Sequence, residues 1–284
     1  MKQSAVQTSV LTTLTMIAFA SNSVLNRLAL AQNTIDAASY TTIRLVTGAI
    51  TLFVIASLQR KADQPILRGS WISAAFLFLY AITYSFAYLS LTAGTGALIL
   101  FGSVQITMII AALSSGERPH VLEWIGLFLA FGGLVYLVFP GLAAPSLLGS
   151  VLMTIAGVAW GFYSIRGRGS QNPLADTAGN FVYAVPMVLT IRLVLWNQVH
   201  LSTNGVLLAT LSGMLASGVG YVIWYMALRG LTTTRAAIVQ LSVPVIAAWS
   251  GVLLLSENIS ARLLFAGALI LGGIGLSVLS REKH

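Results

Sequence analysis

Aromatic side chains recur at helical spacing inside two long apolar runs, where they could bind an apolar or aromatic ligand. Residues four apart lie along one face of an α-helix, and rings on such a face can also attract an ammonium group. We predict that Tyr84 and Trp224 line a cavity. Tyr80, Tyr88 and Tyr225 are expected in an aromatic belt at a membrane–water boundary, and helix packing is the alternative for both groups. The two rows are Phe76, Tyr80, Tyr84 and Tyr88, and Tyr221, Trp224, Tyr225 and Leu228.

Amide side chains within apolar runs form a second group of candidates, because they are costly in hydrocarbon without partners. We predict substrate contacts for Asn22, Gln105 and Gln240. Asn26 is expected to hydrogen-bond to a neighbouring helix, and that structural role is the alternative for the other amides as well. Pro244 cannot donate a hydrogen bond to the carbonyl of Gln240, four residues earlier, so this carbonyl could accept one from a substrate ammonium or a water.

The sixth apolar run adds a ring and a hydroxyl one turn apart, and completes the predicted substrate site. The predicted substrate-binding residues are Asn22, Tyr84, Gln105, Trp160, Tyr163, Trp224, Gln240 and Pro244. We expect no catalytic residue, metal site or cofactor, because the chain has no cysteine and three scattered histidines. The aspartates Asp36, Asp63 and Asp176 are expected in loops, which disfavours an intramembrane enzyme. An ion channel is disfavoured because the chain shows no evident selectivity filter.

The amino-acid composition indicates the environment in which these residues lie. Hydrophobic residues make up 57% of the 284 residues and charged residues only 8%, against about 25% in average soluble domains. The mean hydropathy is +0.89. Much of the surface must therefore face a lipid bilayer. The net charge is +8, but the basic residues are scattered between the apolar runs, so nucleic acid is not expected as a partner.

Ten apolar runs are long enough to be membrane-spanning helices, each of which needs about 20 residues. They leave short loops and no room for a domain outside the membrane. An alternative for the first run is a secretory signal cleaved after Ala18-Phe19-Ala20, but the run continues without a break, and we favour a retained helix. The runs are 8–30, 38–58, 71–90, 95–113, 121–140, 147–165, 179–199, 205–228, 234–255 and 262–280.

The distribution of Lys and Arg predicts the orientation. With the N-terminus in the cytoplasm, all but four of the 15 Lys and Arg lie on the cytoplasmic side. We therefore expect a multi-pass protein of the bacterial inner membrane with both termini cytoplasmic. Arg44 and Arg192 are expected to snorkel to the exterior interface. The four exceptions are Arg27, Arg44, Arg192 and Arg262.

An internal repeat divides the chain into two halves, 1–140 and 141–284. Glu117 and Glu257 are 140 residues apart, as are Gly132-Gly133 and Gly272-Gly273. Five spans in each half is an odd number, so the second half must be inverted relative to the first. Inverted repeats are typical of alternating-access transporters, with the substrate bound near the midplane between the halves. Both glutamates are expected to hold loops rather than contact the substrate.

Short motifs that contain Asn22, Trp160 and Pro244 accompany the two glutamates of the repeat. At these positions the sequence resembles the EamA family of the drug/metabolite transporter superfamily. The resemblance covers essentially the whole chain. It implies ten helices in two inverted five-helix repeats, and a central cavity lined mainly by spans one, three, four, six, eight and nine. The sequence departs from the family pattern at Phe19-Ala20 (usually Trp-Gly), at Gln105 (usually Pro) and at Ser256 (usually Gly). The motifs are Phe19-Ala20-Ser21-Asn22 with Arg27, Trp160-Gly161, Pro244 with Glu257, and Ser115-Gly116-Glu117.

Within the family, the chain is most similar to YddG-type exporters of aromatic and other neutral amino acids. The resemblance therefore implies export of a small molecule by alternating access. The absence of an acidic residue in mid-membrane predicts that no carboxylate proton relay takes part. The alternative is a transporter of nucleotide sugars or other metabolites, which would need cavity cations that the spans do not show near the midplane. Small residues such as Gly133 and Gly273 are expected to hold each repeat together or to support a homodimer; a monomer is the other expectation.

Overall fold

The protein is a bundle of α-helices. The computed structural model describes residues 4–59, 65–114, 121–139, 144–167, 170–231, 239–240 and 242–281. Apart from an isolated bridge between Ile35 and Leu201, these residues contain no β-structure. The ten long helices are α1 Ala5–Ala31, α2 Ala37–Leu58, α3 Trp71–Ala87, α4 Ala93–Ser114, α5 Val121–Val138, α6 Leu147–Gly167, α7 Pro173–Val194, α8 Thr203–Leu228, α9 Ser242–Leu255 and α10 Ala261–Arg281.

Six of these helices are long and apolar enough to cross a membrane: α1, α2, α4, α6, α7 and α8. The other four are apolar over shorter stretches of 10–17 residues. In hydrocarbon, a helix satisfies all its backbone hydrogen bonds internally, which explains why these runs fold as they do. The prediction of an all-α, multi-pass membrane protein is confirmed. Phe19, at the alternative cleavage site, lies in the middle of the continuous helix α1 and is buried.

Polar caps begin several of the helices. Asp36 caps α2: its carboxylate accepts hydrogen bonds from Ser39 N at 2.8 Å and from His200 N at 3.0 Å. Partial burial alone would raise the pKa of Asp36, but these hydrogen bonds outweigh it, and the pKa lies below its usual range. The seventh run was predicted at 179–199 and is wrong by about one and a half turns, because Asn172 caps α7 and Pro173 occupies its first turn. Asp176 therefore lies in α7 rather than in a loop.

The helix contacts repeat when the two halves are exchanged. Helix α3 packs on α6, and the equivalent pair, α8 and α1, also packs together. In the same way α4–α6 matches α9–α1, and α2–α8 matches α7–α3. Three pairs join equivalent helices directly: α2–α7, α4–α9 and α5–α10. This pattern is that of an approximate two-fold axis between the halves.

Equivalent helices run in opposite directions. Asp36 N, before α2, donates to His200 O, after α7, at 3.0 Å. Arg68 N, after α2, donates to Ala175 O, at the start of α7, at 2.9 Å, so α2 and α7 are antiparallel. The bundle thus has an Asp36 end and an Arg68 end. Helix α1 finishes at the Asp36 end, where Ser202 N donates to Thr34 O, whereas α6 finishes at the Arg68 end.

Small residues let α5 and α10 approach closely. Gly133 lies against Leu269 and Ile270, and Gly273 lies against the backbone of Gly126 and Ala130. A side chain at either glycine would collide with the facing helix. These residues therefore join the two halves of the chain, rather than holding each half together as we predicted.

Candidate substrate-binding site

A cluster of buried aromatic rings lies where the two halves meet. We call it the ring cluster: Phe19 of α1, Tyr80 of α3, Trp160 of α6 and Tyr221 of α8. The Trp160 ring centroid lies 4.6 Å from Tyr221, 5.0 Å from Tyr80 and 5.5 Å from Phe19. All four side chains are buried. Tilted and edge-on contacts of this kind stabilise the packing beyond the burial of apolar area alone.

The ring cluster follows the internal repeat. Tyr80 and Tyr221 are separated by 141 residues, and their hydroxyl oxygens are 3.2 Å apart. Phe19 and Trp160 have the same separation in sequence and meet edge-on. Equivalent residues can touch in this way only close to the two-fold axis. The ring cluster therefore lies on the axis that relates the halves.

Arg44 lies beside the ring cluster, and the prediction that it snorkels to the interface is wrong. It is eight residues after the cap of α2, about 12 Å along the helix, and only 1% exposed. Its Nε donates to Ser217 Oγ at 2.8 Å. Its Nη2 donates to the hydroxyls of Tyr221 at 2.8 Å and Tyr80 at 3.1 Å. The guanidinium carbon also lies 5.2 Å from the ring centroid of Tyr84.

The charge of Arg44 has no acidic partner among the described residues. The described ion pairs join Arg27 to Glu257 and Arg68 to Asp176. Nη1 of Arg44 is buried without a hydrogen-bond partner in that part of the chain. An arginine stays charged in proteins, and burying such a charge costs several kcal/mol. Hydroxyl acceptors and ring faces offset only part of this cost.

An irregular stretch of α8 holds the acceptor for Arg44. Ser212–Val219 forms a π-helical segment, a feature that often occurs at functional sites. Asn22, a predicted site residue, binds this segment twice: its Oδ1 accepts from Ser212 Oγ at 2.6 Å, and its Nδ2 donates to Ser217 Oγ at 3.0 Å. Ser217 is thereby fixed opposite Nε of Arg44.

Four other predicted residues lie in or next to the ring cluster. Trp160 is at its centre. Tyr163 lies between Trp160 and Tyr225, with ring centroids at 5.4 and 5.7 Å. Tyr84 shares a hydrogen bond of 3.0 Å with Ser23, and Trp224 meets Phe19 edge-on. All four are buried, with at most 2% of each side chain exposed.

The remaining predicted residues are also buried but lie elsewhere on the helices. Gln105 is in α4, one turn after Phe101, and Gln240 precedes α9. Pro244 lines an apolar cavity of about 200 Å³ between α4, α9 and α10, and no residue of the ring cluster lines that cavity. Asn26, predicted to bond to a neighbouring helix, is buried with no hydrogen bond to a described residue. No metal-binding group of His, Asp or Glu occurs within the described segments.

A polar cavity of about 410 Å³ opens at the Arg68 end and reaches Tyr225. Arg166 crosses it, with Nε donating to Ser73 Oγ at 3.0 Å. Tyr225 was expected in the interfacial belt; it is instead buried and lines this cavity. The stacked rings of Tyr225, Tyr163 and Trp160 connect the cavity to the ring cluster. The volume falls within the range of small-molecule sites, about 300–1,000 Å³. Other residues lining the cavity are Arg68, Ser70, Asp176 and Asn180.

Glu257 links α1 to the start of α4 at the Asp36 end. Its Oε1 accepts from Arg27 Nε at 3.1 Å, and its Oε2 accepts from Ala93 N, at the start of α4, at 2.9 Å. Arg27 Nη1 donates to Tyr88 O at 3.0 Å, and the Tyr88 ring packs on Tyr84. Tyr88 is fully buried, so its placement in the interfacial belt is wrong. These contacts agree with a loop-holding role for Glu257; its repeat counterpart Glu117 lies outside the described residues.

The most important residues missed in the sequence were Arg44, Tyr80, Tyr221 and Ser217. One signal could have found Arg44: it lies two turns inside a span, too deep for a head group that must reach the interface. Tyr80 and Tyr221 could have been found from their separation, since it equals the repeat offset of the first part of each half. No local pattern marks Ser217.

An antiparallel two-fold arrangement of apolar helices around a buried aromatic cluster is typical of membrane transport proteins. The EamA-like transporter family model matches residues 8–139 and again residues 147–279. The chain therefore belongs to the EamA-like transporter family. The two matches account for nearly the whole chain.

Relatives and solved structures agree with this assignment. An uncharacterized protein of Pseudomonas aeruginosa is 49% identical over 275 residues, which cover 97% of this chain and 96% of that protein. A protein of Escherichia coli named a probable amino-acid metabolite efflux pump is 26% identical, over 70% of this chain and 75% of its own length. A crystal structure 18% identical in sequence shares the fold with a TM-score of 0.67, covering 99% of this chain and 100% of that one.

Proposed function

We propose that this chain exports small metabolites, above all aromatic and other neutral amino acids, by alternating access. One observation carries the proposal: the ring cluster lies on the axis between antiparallel halves, with a cavity at one end and an ion pair closing the other. A site on such an axis can be exposed to either side when the halves exchange conformations. The cavity and the Arg27–Glu257 pair together describe a state open towards the Arg68 end.

In this proposal all ten helices span the inner membrane of a bacterium, in two inverted five-helix repeats of residues 1–140 and 141–284. Both termini and the Arg68 end face the cytoplasm, where positive residues predominate. Arg68, Arg166 and Arg229 lie at that end. The described state would then be inward-facing, which is the state in which an exporter takes up its substrate.

Amino acids are proposed as substrates for two reasons. The ring cluster suits apolar and aromatic side chains, and its ring faces can attract an ammonium group. The Escherichia coli relative carries a name that refers to amino-acid metabolites. This substrate range matches the resemblance to YddG-type exporters. We propose transport by facilitated diffusion or exchange, without a carboxylate that relays protons in mid-membrane.

Counterflow uptake into proteoliposomes tests the proposal. The panel contains labelled phenylalanine, tryptophan, methionine and threonine, with protein-free liposomes as the background. Trp160→Ala should abolish uptake, because it removes the centre of the ring cluster. Trp249→Ala is the matched control, because Trp249 is 61% exposed. If folded wild-type protein moves none of the four amino acids, or if Trp160→Ala transports as well as wild type, the proposal is overturned.

A further inference from the structure

One nitrogen atom of the buried Arg44 guanidinium makes no hydrogen bond to a described residue. Nε and Nη2 are occupied by the hydroxyls of Ser217, Tyr80 and Tyr221. Nη1 is buried and has no hydrogen-bond partner among the described residues. An ionisable residue inside a membrane protein usually marks the path of a substrate or ion, or pairs with an opposite charge. No described acid supplies that charge, since Glu257 is paired with Arg27 and Asp176 with Arg68.

The groups around Arg44 indicate which kind of ligand would pair with its charge. A guanidinium group matches the planar, two-oxygen geometry of a carboxylate. A single cation balances a single negative charge, whereas a phosphate dianion would need at least one further cation. The other groups around Arg44 are tyrosine rings and hydroxyls, which suit an organic acid with an apolar body.

We propose that Arg44 binds the carboxylate of the transported substrate, so that the substrates are monocarboxylates with an apolar or aromatic body. Amino acids are one such class. The inference rests on the proposed transport function and narrows its substrate class, because neutral amides and simple amines would lack the group that Arg44 recognises. A buried charge without a protein partner then becomes paired only when substrate is present.

The position of Arg44 suits both states of a transporter. Its Nη2 is bonded to Tyr80 and Tyr221, the equivalent residues that meet on the two-fold axis. A carboxylate bound there lies next to the two-fold axis, where both halves of the bundle can contact it. Arg68, Arg166 and Asp176 line the open cavity, and Asp176 is paired with Arg68. The positive charge of Arg166 is left uncompensated among these three residues, which favours the approach of an anion.

Direct binding to purified wild-type protein in nanodiscs tests the inference with four probes that share one phenyl body. They are 3-phenylpropionate, 3-phenylpropanamide, phenethylamine and phenylalanine. Isothermal titration should show 3-phenylpropionate and phenylalanine binding at least about tenfold more tightly than the amide and the amine. This ligand series needs no variant, so it stands even if substitutions at Arg44 disturb folding.

Two variants test whether Arg44 causes the tighter binding of the acid than of the amide. Arg44→Gln should lower the affinity for 3-phenylpropionate to that for the amide, and Arg44→Lys should restore only part of the difference, because an ammonium lacks the planar fork. Arg192→Gln is the matched control: Arg192 lies at the Asp36 end, where its Nη1 donates to Leu195 O. It should bind all four probes as wild type does.

The outcomes separate this inference from the transport function when the same probes are used in proteoliposomes. Equal binding of acid and amide by wild type, or unchanged discrimination in folded Arg44→Gln, overturns the role of Arg44. If, in addition, the proteoliposomes take up the amide or the amine as fast as the acid, the transport function stands without a role for Arg44. Arg44-dependent binding of the acid with no transport of any probe supports the site and overturns the transporter proposal. No binding and no transport of any probe overturns both.

Discussion

Removing the charge of Glu257 should open the Asp36 end of the protein. Glu257 bridges Arg27 and the first backbone N–H of α4, at 3.1 and 2.9 Å, and Arg27 in turn holds the carbonyl of Tyr88. The substitution Glu257→Gln preserves size and can still accept the hydrogen bond from Ala93. It removes only the charge that strengthens both bonds, so the change acts on closure rather than on folding.

The expected size follows from the geometry of this ion pair. Hydrogen bonds to charged groups contribute about 1.5–3 kcal/mol. The Arg27 and Glu257 side chains are 20% and 11% exposed, so solvent screens the pair and the lower value applies. About 1.4 kcal/mol corresponds to a factor of ten. We therefore expect the open fraction at this end to rise about tenfold.

Labelling of a single cysteine measures this fraction, because the natural chain contains none. Ser23→Cys places a thiol one turn deeper than Arg27, where Ser23 is buried beside Tyr84. A membrane-impermeant maleimide applied from outside should react about tenfold faster in the Glu257→Gln background. Arg262→Gln, which removes an arginine bound to the α5 C-terminus, is the control and should leave the rate unchanged. An unchanged or slower rate with Glu257→Gln would refute a closing role for this pair.

Three further changes test single contacts by thermal unfolding of the purified protein. The pKa of Asp36 is lowered in the folded protein, so its stabilisation is complete above about pH 4 and disappears as the pH falls through that lowered value. Wild type and Asp36→Ala should therefore differ at neutral pH, and the difference should shrink as the pH falls below about 4; a constant difference would contradict this. Ser256 has φ of 52°, in the left-handed region, and Ser256→Gly should stabilise the protein by about 1 kcal/mol; a loss of stability would show that the conformation is not strained. Gly213 faces the Arg44 carbonyl, so Gly213→Ala should destabilise by about 1–3 kcal/mol. Gly272→Ala, with nothing within 4 Å of the added methyl group, should leave stability unchanged or raise it by up to about 1 kcal/mol, because alanine favours a helix over glycine. Equal effects of the two alanines would contradict the close approach at Gly213.

The helices were predictable because hydrocarbon leaves the backbone little choice. An apolar run of about 20 residues must satisfy its hydrogen bonds internally, so each run indicates a helix directly. The main boundary error, at α7, arose where a cap and a proline start the helix within a polar segment. Such a segment also resembles a loop, and only the packing against Arg68 and Gly69 decides between the two.

The candidate site was less predictable because its contacts join distant segments. The hydroxyls that bind Arg44 belong to residues 36, 173 and 177 positions away, and nothing near Arg44 in sequence indicates them. An isolated arginine in an apolar run commonly snorkels, which led to the wrong expectation. Tyr84 and Trp224 were easier to select, because rings at helical spacing mark a helix face that must pack against other residues.

Arg44 has no charged counterpart in the second half of the chain, and this break in the internal repeat bears on the proposed substrate. The repeat offsets of 140 and 141 residues place Ala184 and Val185 opposite Arg44, so only one half contributes a charge. The rings follow the repeat at Phe19 and Trp160, because a symmetric pair of halves must form equivalent surfaces in both states. A monocarboxylate, however, carries its negative charge at one end only. One guanidinium on the axis can hold that charge in both states, whereas a second would be left buried and unpaired, at a cost of several kcal/mol. The asymmetry of the proposed substrate thus explains why the repeat is broken at this position.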